Sequence, residues 1–178
     1  MIKNFKINLR QGYVFRELKK RKVDAGSEEK FTEKLKEIQS RIKPATVYDS
    51  FKPEIFRSHF DAGKALIVSL FAVTLGREVE TPVRMDPFGE KNEITDISLT
   101  DGLAVAKNFV TKLIQIEAEE EHCELLEPTE IDPPVIFENK KVLSKMDFSK
   151  IGIKFESGSL TPVNTRFFVV GWVLKKKK

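Results

Sequence analysis

Apolar and polar residues alternate along the chain with two different periods, which together predict a mixture of strands and helices. Phe5, Ile7 and Leu9 alternate with polar neighbours, and this period of two predicts a half-buried strand. The continuous apolar run 66–73 predicts a central strand that is buried on both faces. A shorter strand is predicted at 46–48.

Two segments of the first half show the helical period instead. The first is 11–20, a short helix. Its apolar face comprises Val14, Phe15 and Leu18. The second begins after Ser27, a typical N-cap residue, and ends before Pro44. Its apolar face comprises Phe31, Leu35, Ile38 and Ile42.

The second half is predicted to contain one long helix, irregular chain and a late hairpin. The helix begins near Thr100 and runs into the acidic stretch 117–124. Irregular chain is predicted at 81–92 and at the prolines Pro128, Pro133 and Pro134. The strand-like runs 151–155 and 167–174 predict a hairpin with a long loop. Because strands and helices follow one another without a regular βαβ repeat, the pattern favours the α+β class.

Composition is that of a folded protein. The 178 residues are 40% hydrophobic and 33% charged, which predicts one globular domain spanning 1–178. Fourteen phenylalanines, against one tryptophan, predict a core with extensive aromatic packing. Abundant lysine and glutamate suit a thermophilic source.

Net charge narrows the classes of partner. The charge of +4 equals the contribution of the four lysines at 175–178, which form a basic tail. Such a tail attracts an acidic partner or is simply a frayed, solubilising terminus. No basic stripe interleaved with aromatic residues is found elsewhere, which argues against a nucleic-acid partner.

The expected location is the cytoplasm. The single cysteine, Cys123, cannot form an internal disulfide and predicts a reducing compartment. Segment 1–6 lacks the apolar run of a signal peptide. The longest apolar stretch, 65–75, is shorter than the roughly 20 residues of a spanning helix, so no membrane partner is expected.

Residue types that carry catalysis are sparse. The histidines His59 and His122, with Cys123, are too few to predict a metal site, and a nucleophilic pair requires His59 to approach Cys123 through the fold. Neither a Gly-x-Ser-x-Gly elbow nor a glycine-rich phosphate loop is present. The carboxylates of 117–124 are typical of a solvated helix face. No catalytic residue and no metal ligand are therefore assigned.

Four segments, in order, resemble the activation domain of cobalamin-dependent methionine synthase, including its free-standing forms. The first is 16–18 followed by 42–48 (IKPATVY), similar to a helix closing into the family's P-x-x-V/L-Y strand. The second, 70–79 (LFAVTLGREV), is similar to hFAxTLGxEV. The third, 96–109, resembles the DAIGSxAVE start of the family's long helix. The fourth, 151–162 (IGIKFESGSLTP), resembles IGhxLTESxxMxP.

This resemblance covers most of the chain and implies a single C-shaped α+β domain with a mainly antiparallel sheet and flanking helices. It also implies that S-adenosylmethionine binds in a shallow groove, with its methyl group facing the cobalt of a cobalamin held by a partner chain. In that family an external electron donor, such as a flavodoxin-like protein, reduces the oxidised cofactor before it is remethylated. The expected function is reactivation of a separately encoded methionine synthase, to which the domain contributes positioning and no acid or base.

The resemblance nominates ligand-binding residues as well. The family segment R-F-S-P-G-Y-G-D-W-P corresponds to 125–134. The matching positions are Pro128, Asp132 and Pro134. The differing positions are Leu125, Thr129 and Glu130, in place of arginine, glycine and tyrosine. We expect Glu130 to face the ligand's sulfonium or amino group and Arg166, or a lysine, to take its carboxylate, so the candidate cofactor-binding residues are Pro128, Thr129, Glu130, Asp132 and Arg166.

Three alternatives stay open at this stage. The altered segment 125–134 is also consistent with a scaffold that docks on a cobalamin protein without binding S-adenosylmethionine. The same segment is equally consistent with a plain linker. A small metabolic hydrolase or transferase rests only on the acidic run 117–124.

Overall fold

The computed structural model describes residues 1–58, 60–61, 63–80 and 93–175 and has a mixed α+β architecture, with a mainly antiparallel sheet and flanking helices. The helices are α1 (Gln11–Lys20), α2 (Glu28–Arg41), α3 (Glu93–Glu120), α4 (Pro133–Phe137) and α5 (Lys140–Leu143). The strands are β1 (Ile2–Lys3), β2 (Ala45–Phe51), β3 (Ile67–Thr74), β4 (Cys123–Leu125), β5 (Thr129–Ile131), β6 (Lys154–Glu156), β7 (Ser159–Thr161) and β8 (Thr165–Leu174). Short 3-10 turns lie at Pro53–Ile55 and Phe148–Ile151. None of the helices in the described ranges combines the length and hydropathy that crossing a bilayer requires.

The main sheet has its most buried strand at its centre. Within the described residues its order is β1, β2, β3, β8, and both β4 and β5 pair with the outer side of β8. Every residue of 68–74 is buried, because β3 is paired on both sides and covered on both faces. The central strand predicted at 66–73 is confirmed with its bounds at Ile67–Thr74, and Leu66 lies exposed just before it.

Helix α3 covers one face of the sheet. The buried residues on this side include Phe71, Val73, Phe168, Val170 and Trp172 from the sheet and Leu103, Ala106, Val110 and Ile114 from α3. Phe71 and Phe168 are stacked, with ring centroids 5.1 Å apart. Gly102 lets α3 approach its neighbours closely, because a Cβ there would lie 3.2 Å from Leu75 Cδ1.

Helices α1 and α2 pack against α3. The Ser27 hydroxyl accepts a hydrogen bond from the Lys30 N–H, so the predicted N-cap of α2 is confirmed. The apolar cluster that α1, α2 and α3 share comprises Val14, Leu18, Phe31, Leu35 and Ile97. Phe15, predicted to lie on the buried face of α1, is instead 39% exposed. The buried stripe runs through residues four apart, and Phe15 is rotated out of it by about 100°.

An aromatic cluster fills the opposite face of the sheet. Phe137 of α4 lies 5.4 Å from Phe148 and 5.2 Å from Phe155, measured between ring centroids. Phe167 of β8 meets both Phe137 and Phe148 edge-on. Such edge-to-face contacts add to the stabilisation that burial alone provides. The predicted aromatic core is therefore confirmed.

The strand predicted at 5–9 is wrong, although its alternation of burial is real. Ile7 is buried, and Phe5 and Leu9 pack against the same core. The backbone of this segment forms hydrogen bonds with the Gln39 side chain instead of a strand. Gln39 Nε2 donates to the Ile7 carbonyl at 2.7 Å, and Gln39 Oε1 accepts from the Leu9 N–H at 2.8 Å. One amide thus satisfies backbone groups that a neighbouring strand otherwise would.

The predicted late hairpin is also wrong. Strand β6 pairs with β7 in a separate two-stranded sheet, whereas β8 pairs with β3 along eight residues. Because β8 is apolar on both faces, it needs a central position that a two-stranded hairpin cannot give. The long helix begins at or before Glu93 rather than near Thr100. The loop predicted at 81–92 lies outside the described residues.

Candidate functional site

The altered segment forms the outer edge of the sheet. Strand β4 pairs Leu125 with Trp172, and β5 pairs Thr129 with Val169, so 126–128 bridges two short strands along one side of β8. The Leu126 N–H donates to the Gly171 carbonyl at 2.8 Å and closes this bridge. A Cβ on Gly171 would come within 3.0 Å of Leu126 Cδ1, so glycine permits this close approach. The linker interpretation is therefore wrong, because the backbone on both sides of 126–128 extends the sheet. Of the prolines predicted to lie in irregular chain, Pro128 does so, whereas Pro133 and Pro134 begin α4.

Glu130 and Arg166 meet at this edge. Glu130 pairs with Phe168 across the ladder, and Arg166 precedes Phe168 by two residues on β8, so all three share the face that α3 covers. Arg166 Nε lies 3.1 Å from Glu130 Oε1, and the two side chains are 45% and 56% exposed. Arg166 Nη1 donates to the Thr165 carbonyl at 2.8 Å, which fixes the guanidinium close to the strand.

A second ion pair approaches the same aromatic ring. Lys107 Nζ, on α3, lies 5.4 Å from the Phe168 ring centroid and 3.5 Å from Glu127 Oε1. Glu127 is almost fully exposed, at 89% of its side chain. We name the set Lys107, Glu127, Glu130, Arg166 and Phe168 the edge cluster. It presents two cations and two carboxylates around the margin of one phenylalanine.

The other nominated residues are placed differently. Thr129 is exposed and lies on the opposite face from Glu130, because the two are adjacent in β5. Asp132 is exposed and precedes α4 without capping it by a side-chain hydrogen bond. Pro128 is half-buried within the bridge between β4 and β5. The structure thus brings Glu130 and Arg166 together and leaves the remaining three as neighbours along the same edge.

Leu125 lies on the same sheet face as Glu130 but beside Trp172 rather than Phe168. It is partly buried, pairs with Trp172 and packs against the apolar cluster beneath α3. The residue that stands at the family's arginine position therefore packs against the core and stays partly exposed.

Sequence reasoning missed Lys107 and Glu127. Lys107 lies in the middle of α3, and only the packing of that helix on the sheet brings its ammonium over Phe168. The available signal was the charge pattern, since Lys107 is a lone cation between apolar residues of the helix face. Periodicity indicated the helix but not the strand beneath it.

Glu117, in the acidic run at the end of α3, joins that helix to the sheet. The Tyr48 hydroxyl donates to Glu117 Oε1 at 2.6 Å, across from β2 to α3. This hydrogen bond, together with burial and the nearby negative charge, raises the pKa of Tyr48 to about 12. Because the phenol stays protonated, the pair stabilises the contact between the helix and the sheet.

Cys123 and His122 are neighbours in sequence but differ in burial. Cys123 is buried at the start of β4, whereas His122 is exposed with a φ of 58°. His59 lies outside the described residues. Across the described ranges no three His, Cys, Asp or Glu side chains come together as metal ligands.

Comparison with known proteins gives no family. No model of a known protein family matches the chain, and no curated protein matches it either.

Proposed function

We propose that this chain is a free-standing activation protein that binds S-adenosylmethionine at the edge cluster and presents it to a cobalamin-bearing chain of methionine synthase. The observation that carries the proposal is the contact of Glu130 with Arg166 beside Phe168. The C-shaped, activation-domain-like fold belongs to the same proposal. Its further support is the order of the four resembling segments along the chain.

The charges of the edge cluster match the amino-acid end of S-adenosylmethionine, which carries one carboxylate and two positive centres. The Arg166 guanidinium can donate two charge-assisted hydrogen bonds to the carboxylate. Glu130, released from Arg166, then faces the amino group or the sulfonium. An exposed ion pair contributes only about 0–1 kcal/mol, so this exchange of partners costs the protein little.

The chain's own residues contribute binding and orientation. Bound S-adenosylmethionine supplies an electrophilic methyl group, and holding it in one orientation is a contribution to catalysis that requires no acid or base. Arg166 is itself fixed by its bond to the Thr165 carbonyl, which limits the positions that a bound carboxylate can take. Electrons for the oxidised cobalamin come from a separate donor, for which a flavodoxin-like protein is the expected class.

A scaffold without a small-molecule site is the second candidate. The packing of Leu125 against the core favours it, because a leucine there cannot bind a ligand carboxylate. In this case the Glu130–Arg166 pair remains closed and the chain acts only by docking on a cobalamin protein.

Calorimetric titration separates the two candidates. We expect S-adenosylmethionine to bind the wild-type chain, and Arg166→Gln to weaken this binding by about 10- to 100-fold, as loss of one bidentate carboxylate contact of roughly 1.5–3 kcal/mol predicts. Arg41→Gln is the matched control, since Arg41 forms a similarly exposed pair with Glu37 at 2.9 Å. This control should bind like the wild type.

The partner reaction tests the remaining part of the proposal. Wild-type chain, a cobalamin-bearing methionine synthase chain that lacks its own activation module, and a chemical reductant are mixed with S-adenosylmethionine. We expect methylcobalamin absorbance to appear only when the chain described here is present. Two results together would support the scaffold instead. The chain would dock on the cobalamin protein, and titration of either protein with S-adenosylmethionine would give no heat of binding.

A further inference from the structure

A second concave surface lies between α1 and α2. Its lining residues are Gln11, Gly12, Phe15, Gly26, Glu28 and Phe31, and its volume is about 510 Å³. Phe31 is buried, and Phe15 lies beside it with ring centroids 5.7 Å apart and remains 39% exposed. We name this surface the α1–α2 groove. The apolar floor thus consists of two aromatic rings, of which Phe15 is open to solvent and Phe31 is packed beside it in the core.

Gly12 of α1 lies in the wall of the groove, and no packing contact requires a glycine there. Gly102 in α3 differs, because a Cβ there would lie 3.2 Å from Leu75 Cδ1, a tight contact. A Cβ on Gly12 in α1 would meet nothing within 4 Å, and Gly12 is not among the residues with positive φ. Glycine is a poor helix former, so Gly12 weakens α1 without any steric need. Because Gly12 has no side chain, one wall of the groove stays open.

Cations border the groove on the α1 side. The segment 10–24 carries six Lys or Arg side chains and two carboxylates, although the whole chain has a net charge of only +4. Within the described ranges, Arg16 and Lys22 are exposed and form no ion pair. Lys19 lies 4.6 Å from the Phe15 ring centroid, above the floor of the groove. Among the described lining residues, Glu28 is the one carboxylate, on the α2 side.

We infer that the α1–α2 groove binds an amphipathic helix of a partner protein, with apolar residues on the phenylalanines and acidic residues facing α1. A groove between two helices suits the apolar stripe of a third helix. Arg16 and Lys19 on α1, which form no ion pair within the described residues, select an acidic flank. Glu28 orients the partner, because its carboxylate repels acidic residues from the α2 side. This surface is formed by other residues than the edge cluster and does not depend on S-adenosylmethionine.

A synthetic peptide tests the inference. The probe is a fluorescein-labelled helical peptide with leucine along one stripe and glutamate along one flank, and the control peptide has lysine in place of glutamate. Fluorescence anisotropy with the full chain should show saturable binding of the acidic peptide that weakens as salt is raised. The lysine peptide should bind at least about tenfold more weakly, since a 1.4 kcal/mol difference is a factor of ten.

Three variants locate the binding. Gly12→Leu fills the groove and improves the helix propensity of α1, so it should weaken peptide binding about tenfold without lowering the melting temperature. Phe15→Ser removes half of the floor and should have a comparable effect. Arg16→Glu combined with Lys19→Glu should abolish the salt dependence. Lys36→Glu with Lys52→Glu, at exposed lysines elsewhere, changes the net charge equally and should leave binding unchanged.

Four results overturn the inference. The first is peptide binding that survives both Gly12→Leu and Phe15→Ser, and the second is equal binding of the lysine peptide. The third is that the acidic peptide does not bind while the chain is recruited to phosphatidylserine vesicles, and that Arg16→Glu/Lys19→Glu removes this recruitment. The last is self-association in sedimentation velocity that Gly12→Leu abolishes, which would assign the groove to a second copy of the chain.

Discussion

Two arginine–carboxylate pairs lie in different surroundings in this molecule. Arg10 binds Asp101 where α1 meets α3, and the Asp101 side chain is completely buried. Arg166 binds Glu130 at the sheet edge, where both side chains are about half exposed. The chemistry of the two pairs is the same, but only the second pair can change partners without leaving a charge buried.

Burial decides which pair is structural. Asp101 accepts from Arg10 Nε at 2.8 Å and from the Arg10 backbone N–H at 2.7 Å, so its charge is satisfied by one residue just before α1. Removal of a partner from a buried charge leaves an uncompensated group in a medium of low polarity. At the exposed edge, water replaces the lost partner. The free energy of unfolding can be compared for variants at both pairs and at the half-buried pair of Tyr48 and Glu117.

Loss of the buried pair should have the largest effect. Arg10→Gln leaves the Asp101 carboxylate with little more than a backbone N–H, and we expect it to lower the free energy of unfolding by about 2–3 kcal/mol. Urea denaturation of the variant and the wild type gives this value. An equal loss for the exposed Arg41→Gln variant would show that burial of Asp101 is not the cause.

The half-buried pair of Tyr48 and Glu117 should have an intermediate effect that depends on pH. The folded pKa of Tyr48 is raised from 10.0 to about 12, so the folded protein retains a proton that the unfolded chain loses. The stabilisation is complete below about pH 10 and is lost as the pH rises to about 12. Tyr48→Phe should cost about 1 kcal/mol at neutral pH and reduce this decline.

Glu117→Gln provides the check on the cause. Because the hydrogen bond to Glu117 is the largest contribution to the raised pKa, this variant should bring phenol ionisation, followed by ultraviolet absorbance, to a lower pH. An unchanged titration curve would contradict the assignment of the shift to Glu117.

Loss of the exposed pair should have the smallest effect on stability. We expect Arg166→Gln to change the free energy of unfolding by less than about 1 kcal/mol. Stability curves measured beside those of Arg10→Gln give the comparison directly. A loss as large as that of Arg10→Gln would mean that the Glu130–Arg166 pair is structural and not available to a ligand.

The sequence was sufficient where burial alone determines the element. The continuous apolar run of β3 and the helical period of α2 are patterns that an exposed segment would not show. At 5–9 the same signal predicted burial correctly and the hydrogen-bond partner wrongly. Gln39 supplies that partner from α2, and no local pattern reveals a contact between residues about thirty positions apart.

The edge cluster could be predicted only in part. Glu130 and Arg166 were nominated from two distant segments, and the antiparallel pairing of β5 with β8 brings them together. Lys107 and Glu127 depend on how α3 lies over the sheet, which is set by the packing of its buried face. Charge positions on exposed margins follow from tertiary packing, so periodicity does not determine them.

The most direct test of the account is to locate S-adenosylmethionine on the chain by nuclear magnetic resonance. We predict that saturating ligand shifts the Arg166 side-chain resonance and the backbone amides of β5, including that of Glu130. Amides of the α1–α2 groove should stay unchanged. No shift at any ligand concentration, or shifts confined to other parts of the molecule, would contradict the proposal that the Glu130–Arg166 pair opens to receive the ligand.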